Sequence, residues 1–183
     1  MTGAGFAHPW EIGSADLQGA PDLVEPVLGF RAWRIANGRL LSPYVPCRWA
    51  GRVLHAECHD ANRSLLHGKG WLAEPHASPH PDCQCGIYAY HHPGLRTYFG
   101  EHYWCEGVIT AWGRVVVHAD GWRAEHARVE ALTLVEPDDE RLAAVVGRIA
   151  GELGVPVVDA DELHDVASRV GRPIPATLLP AAG

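Results

Sequence analysis

The segment His55–Tyr90, HAECHDANRSLLHGKGWLAEPHASPHPDCQCGIYAY, constrains this chain more than any other stretch. All five cysteines lie between Cys47 and Cys105, and eight of the twelve histidines lie between His55 and His102. From His59 to Pro81 no hydrophobic period is sustained, and Pro75, Pro79 and Pro81 interrupt any regular element late in it. A loop of that length inside a compact domain is functional, disordered or pinned by something. Thiols and imidazoles crowded into it make a bound metal the expected pin.

The candidate ligands are Cys58, His76, Cys83 and Cys85. Thiolate and imidazole suit zinc, and three thiolates with one imidazole make the closed tetrahedral shell of a structural site. Two sulfurs one residue apart converge on an ion only if the backbone between them turns. Gly86, directly after the pair, gives the chain freedom to leave that turn. His59, His80, His91 and His92 are the reserve candidates for the fourth position. The competing reading is that Cys83 and Cys85 are ordinary core thiols, since free cysteine often behaves as a small buried hydrophobe.

Three resemblances bear on the same residues. His55-Ala-Glu57, followed by Pro81-Asp-Cys83-Gln-Cys85, resembles the zinc nucleoside and base deaminases. That resemblance would make His55, Cys83 and Cys85 ligands and Glu57 the acid/base acting on a zinc-bound water. This chain departs from the pattern in having one residue between the cysteines instead of two, with a strand-like GIYAY after them in place of a helix. Gly86-Ile87-Tyr88 and Tyr98-Phe99-Gly100 resemble the two tripeptides of GIY-YIG nucleases, but the segment that follows is β-like and its next arginine is Arg114. Across residues 29–135 the blocks FRAWRI-x2-GRL, C-x-CGIYAY and WG-x-VV-x-H-x2-GWRA-x2-A resemble a family of uncharacterised actinobacterial proteins, which implies a fold and carries no activity.

The formal charge of −7 disfavours general nucleic-acid binding, which depends on a basic surface. No apolar run is long enough to span a bilayer, and MTGAGFAHPWEIGSADLQG has no charged n-region followed by an apolar one, so the cytoplasm is the expected compartment. There an odd count of five cysteines fits ligation plus a spare better than disulfides.

Residues 1–28 mix Gly, Pro and acidic residues and are expected to form a loose arm. FRAWRIANGRLLSPY is a hairpin candidate turning at Asn37-Gly38, Arg52–Cys58 a third strand, and Cys85–Tyr90 a buried strand. Residues 106–135 form a long hairpin about Asp120-Gly121. That turn would set Val117 opposite Ala124 and Trp112 opposite Val129, and bring Arg114 diagonally to Glu125. After Pro137 the period becomes helical: Leu142, Val145, Val146, Ile149 and Leu153 share a stripe, with Asp138–Glu140 at its start and Gly154 at its end. VPVV is expected as a short strand. Asp159 and Glu162 have capping-box spacing for a second helix carrying Leu163, Val166, Ala167 and Val170.

The expected fold is α+β: a mainly antiparallel sheet with a zinc-pinned loop over 29–136, and a helix-strand-helix appendage over 137–183 packed on the same domain. Trp33, Trp112, Arg114, Trp122 and Arg123 are expected to line a surface for a flat or anionic small molecule or a protein partner. The functional expectation is a zinc-stabilised binding or regulatory protein. Its rival is a deaminase-like zinc hydrolase using His55, Cys83, Cys85 and Glu57.

Overall fold

The computed structural model describes residues 25–43, 47–58, 76–94 and 103–180. Most of the expected N-terminal arm, the reserve ligand His59 and the second tripeptide at 98–100 lie outside the described residues. Six strands form one antiparallel sheet: β1 (Val27–Ala36), β2 (Arg39–Leu41), β3 (Val53–His55), β4 (Ile87–Tyr90), β5 (Tyr103–Val117) and β6 (Gly121–Leu134). Two helices follow, α1 (Glu140–Leu153) and α2 (Leu163–Val170). Among the described residues no helix is long and apolar enough to cross a membrane.

The sheet closes on itself. β1 pairs with β5 from Val27 to Ile35, β5 with β6, and β6 with β4 through Ile87–Tyr90 against Gly121–Ala124. β4 then returns to β1 at Phe30 and Tyr90. These four strands make a small barrel, with β2 added beside β1 and β3 beside β6. Barrels of this size are filled by side chains. Here the filler is Trp122, wholly buried, whose indole Nε1 donates to the Leu28 carbonyl at 2.9 Å. Its room comes from Gly29, where a Cβ would stand 2.5 Å from Trp122 Cζ2 and 2.6 Å from the Ala89 Cβ.

The first hairpin turns as the sequence predicts, with Asn37 at φ 50° and Gly38 at φ 65°, the left-handed pair of a two-residue turn. The second differs in register. Val117 faces Trp122, Val115 faces Ala124 and Trp112 faces His126, so the tip is Ala119-Asp120 and not Asp120-Gly121. Two irregularities move the register again, one between Trp112 and Val115 and one between Val108 and Ile109. At the first, Gly113 takes φ 77° and Gly113-Arg114 oppose the single residue Glu125, a bulge that glycine makes possible. Arg114 does meet Glu125, but through its backbone N–H, 3.1 Å from the carboxylate.

Strand β3 covers Val53–His55 and is shorter than the run expected to end at Cys58. It is tied to β6 by a buried carboxylate. Glu130 accepts from Arg52 at 2.9 Å, Arg128 at 2.7 Å and the Thr110 hydroxyl at 2.6 Å. Glu130→Ala leaves the buried Thr110 hydroxyl without that acceptor and frees Arg52, and is expected to cost about 1–3 kcal/mol. Urea denaturation gives the cost, and hydrogen exchange should show the loosening confined to β3 and its partner residues on β6.

Helix α1 starts at Asp139, whose carboxylate accepts from the Arg141 and Leu142 amides, and stops at Gly154 with φ 67°. It lays Leu142, Val146 and Ile149 into the cluster that holds Trp33, Cys105 and Leu132. Helix α2 packs Leu163, Val166 and Ala167 against Phe30, Val108 and Ala131 in a second cluster. The Asp159–Glu162 capping box is present, opening a 3-10 turn over Ala160–Glu162 that runs into α2. The segment expected as a strand makes one parallel bridge, Val157 to Leu132, in place of a ladder.

Candidate metal centre

Cys58 lies three residues beyond β3, and Cys83 and Cys85 lie in the turn leading into β4. β3 and β4 pair with the same β6 strand, β3 at Ala127 and β4 at Ala124. The Cys58 and Cys83–Cys85 segments are therefore brought side by side. The Ala56 amide, bonded to the Glu125 carbonyl at 2.6 Å, holds the first segment against β6.

The ligand atoms of Cys58, His76, Cys83 and Cys85 all lie within 4.8 Å of one another. Cys58 Sγ is 3.8 Å from Cys83 Sγ, and Cys85 Sγ is 3.4 Å from His76 Nε2. A tetrahedron with sulfur at ~2.3 Å and nitrogen at ~2.05 Å from its centre has edges of ~3.8 Å between sulfurs and ~3.6 Å between sulfur and nitrogen. Both separations match those edges closely. The four residues can hold a metal ion, and they are the four expected from the sequence.

The turn that makes this possible is built as anticipated at Gly86, which leaves it at φ 130°. What holds the turn was not anticipated. The Tyr88 hydroxyl donates to the Gln84 carbonyl at 2.6 Å. Arg123 donates from Nη1 to the Cys83 carbonyl and, at 3.1 Å, to the Cys85 carbonyl. Three consecutive carbonyls are thus taken by two side chains that face each other in the β4–β6 register. The Cys83 amide closes the other side of the turn on the His80 carbonyl at 3.1 Å.

Burial, the Cys83 hydrogen bond and the neighbouring thiols push Cys58 up to about 12. Burial also raises Cys85, against the lowering effect of the Ser78 hydroxyl and the His80 backbone. Three thiols this close do not ionise together unaided, so a cation would bind with release of their protons. Cys105, wholly buried and raised by burial and then by Glu106, lies in the core, while Cys47 is partly exposed. Neither belongs to the ligand group.

The deaminase-like set is not assembled. His55 stacks edge-on against His126 at 4.5 Å between ring centroids, Glu57 is exposed, and the clustered ligand atoms include Cys58 and not His55. Cys83 and Cys85 sit in a turn and not on a helix. His80 packs against His76 at 5.0 Å, and His91 bonds through Nε2 to the His118 carbonyl.

The five residues expected to line one surface are divided. Trp33 and Trp122 are wholly buried, Trp33 packing edge-on against Trp49 at 5.4 Å. Arg123 is wholly buried behind the cysteine turn. Trp112 and Arg114 are exposed, Trp112 beside His126 at 5.6 Å and Arg114 donating to the Pro79 carbonyl at 3.2 Å.

His118 stands on the far side of Arg123, accepting from Arg123 Nε at 3.0 Å. Burial, then Arg123, then His91 push it down to about 4 from the ordinary 6.5. The unfolded chain takes up this proton near 6.5 while the folded chain refuses it until about 4. Its contribution to stability is therefore full above 6.5 and lost as the pH falls towards 4. Because the ring is partly exposed, the loss is discounted to about 1–2 kcal/mol. His118→Asn should flatten that part of the stability profile, measured by urea denaturation of chelator-treated protein from pH 7 to 4.

Fold and site together define a small closed β-barrel carrying a cluster of three cysteines and one histidine able to hold a metal ion. No family model matches the chain, no curated protein matches it, and no solved structure matches it.

Proposed function

We propose that Cys58, His76, Cys83 and Cys85 hold one zinc ion in a closed structural site, and that the protein is a zinc-stabilised binding or regulatory protein. The observation that carries this is the gathering of the four ligand atoms within 4.8 Å. Zinc is favoured over other divalent ions because sulfur-rich tetrahedral shells suit it. With four protein ligands no coordination position is left for water, so the ion stabilises and does not catalyse. It joins the end of β3 to the entrance of β4 across a connection of more than 25 residues.

A binding role is supported by the exposed side of the barrel where Trp112 lies beside His126, which in turn stacks against His55, with Arg114 close by in sequence. An aromatic and cationic surface of this kind fits a flat or anionic ligand or a protein partner.

The test is elemental analysis of untagged protein, wild type and with Cys58→Ser or His55→Ala. One zinc per chain, lost with Cys58→Ser and kept with His55→Ala, is the expected result. Zinc kept by Cys58→Ser and lost with His55→Ala would replace this reading with the open, deaminase-like one.

A further inference from the structure

Arg123 is wholly buried. Among the described residues no carboxylate lies within ion-pair distance of it. Its hydrogen bonds go to neutral acceptors: the carbonyls of Cys83 and Cys85 from Nη1, and His118 Nε2 from Nε at 3.0 Å. Nη2 has no hydrogen-bond partner. The guanidinium also stands 5.9 Å from the centroid of the Tyr88 ring. A cation withdrawn from water with no anion to meet it is among the most costly groups a fold can carry, and such groups are as a rule paired or ligated.

The charge that would meet it is supplied by the metal centre. A dication on three thiolates and one neutral imidazole carries a net charge of −1. Arg123 reaches that group through the peptide carbonyls of two of its own ligands. Resting on the zinc reading above, we propose that Arg123 is the resident counter-charge and positioning residue of the metal centre. It holds the Cys83-Gln84-Cys85 turn by its carbonyls and neutralises the ion with its three thiolates. Together they form a half-buried group of net charge zero. Facing the net negative charge of the ion and its thiolates, the cation favours the loaded state over the empty one. The site is accordingly matched to a dication with three thiolates. A fourth thiolate, or a monovalent ion, would unbalance it.

The test is metal affinity measured by competition with a chromophoric chelator, on wild type, Arg123→Met, Arg123→Gln and Arg123→Lys, with cobalt(II) absorption as a second readout. Partners in the outer shell of a metal site typically change affinity by about 10- to 100-fold. Arg123→Met and Arg123→Gln are expected to weaken zinc binding by that factor and to shift the cobalt charge-transfer bands. Arg123→Lys, which keeps the charge, should recover much of the affinity. The rise in Tm on adding zinc should shrink in the two neutral variants, because they lose stability in the loaded state more than in the empty one.

Equal zinc affinity across all four proteins, with loaded and empty Tm lowered equally, would overturn the proposal and make Arg123 a structural residue only. If Arg123→Met does not fold, the comparison of Arg123→Gln with Arg123→Lys decides: equal affinities overturn it, and a weaker glutamine variant supports it. A wild type that binds no zinc or cobalt overturns the zinc reading and this proposal with it. A wild type that binds while the neutral variants bind equally overturns only the role of Arg123.

Discussion

Stripping the metal with a strong chelator is expected to lower the melting temperature by about 8–16 °C. An ion present at about 1,000 times its dissociation constant stabilises by about 4 kcal/mol. Each kcal/mol moves Tm by about 2–4 °C in a chain of this size. The core of Trp33, Trp122, Ile109 and Val129 contains none of the four cluster residues, so the stripped protein should keep its far-ultraviolet circular dichroism. What it should lose is protection at Cys83–Tyr90, where the turn and β4 depend on the centre. Cys85→Ser should reproduce the shift, and the chelator should then do nothing more to it. Scanning calorimetry with and without chelator is the measurement. A shift under 2 °C in wild type would mean that the four residues hold no stabilising ion.

Trp122→Ala carries the other large effect, on the barrel and not on the centre. Trp122 is wholly buried, takes the space left by Gly29 and donates to the Leu28 carbonyl. Truncating a buried tryptophan costs about 3–5 kcal/mol. At the conversion above, Tm should fall by about 6–20 °C, with a matching loss in urea denaturation. Trp122→Phe fills part of the space and should cost less. A loss under 1 kcal/mol for the alanine variant would contradict a barrel closed around this side chain.

What could be read from the chain was local. Asn37-Gly38 announces its turn because its backbone demands φ above zero, Gly154 ends α1 for the same reason, and the acidic residues before α1 mark its start, where the Asp139 carboxylate caps it. The four residues of the cluster were legible because thiols and imidazoles concentrate where little else explains them. The register of the long hairpin was not. The bulge at Gly113-Arg114 and the irregularity between Val108 and Ile109 each change which residues face each other, and neither leaves a mark in an alternation already blurred by apolar residues on both faces.

Closure of the sheet was hidden for a different reason. It rests on β4, four residues long, meeting β6 and β1, a non-local event that no window of sequence contains. Burial of Trp122 follows from the same closure, since a barrel interior needs large residues that an open sheet does not, while Trp33 is covered by Trp49 and Arg123 by the cysteine turn. A signal for Arg123 did exist. It follows Trp122 on β6 and stands opposite Tyr88, two residues after Gly86, so pairing the strands would have set it behind the cysteine turn.

The most direct measurement is X-ray absorption at the zinc edge on protein purified without a tag. One zinc per chain with three sulfur neighbours at about 2.3 Å, one nitrogen at about 2.0 Å and no oxygen is the expected result. A shell of two sulfurs with nitrogen and water oxygen would contradict the closed site, and protein without metal in any preparation would contradict the centre altogether.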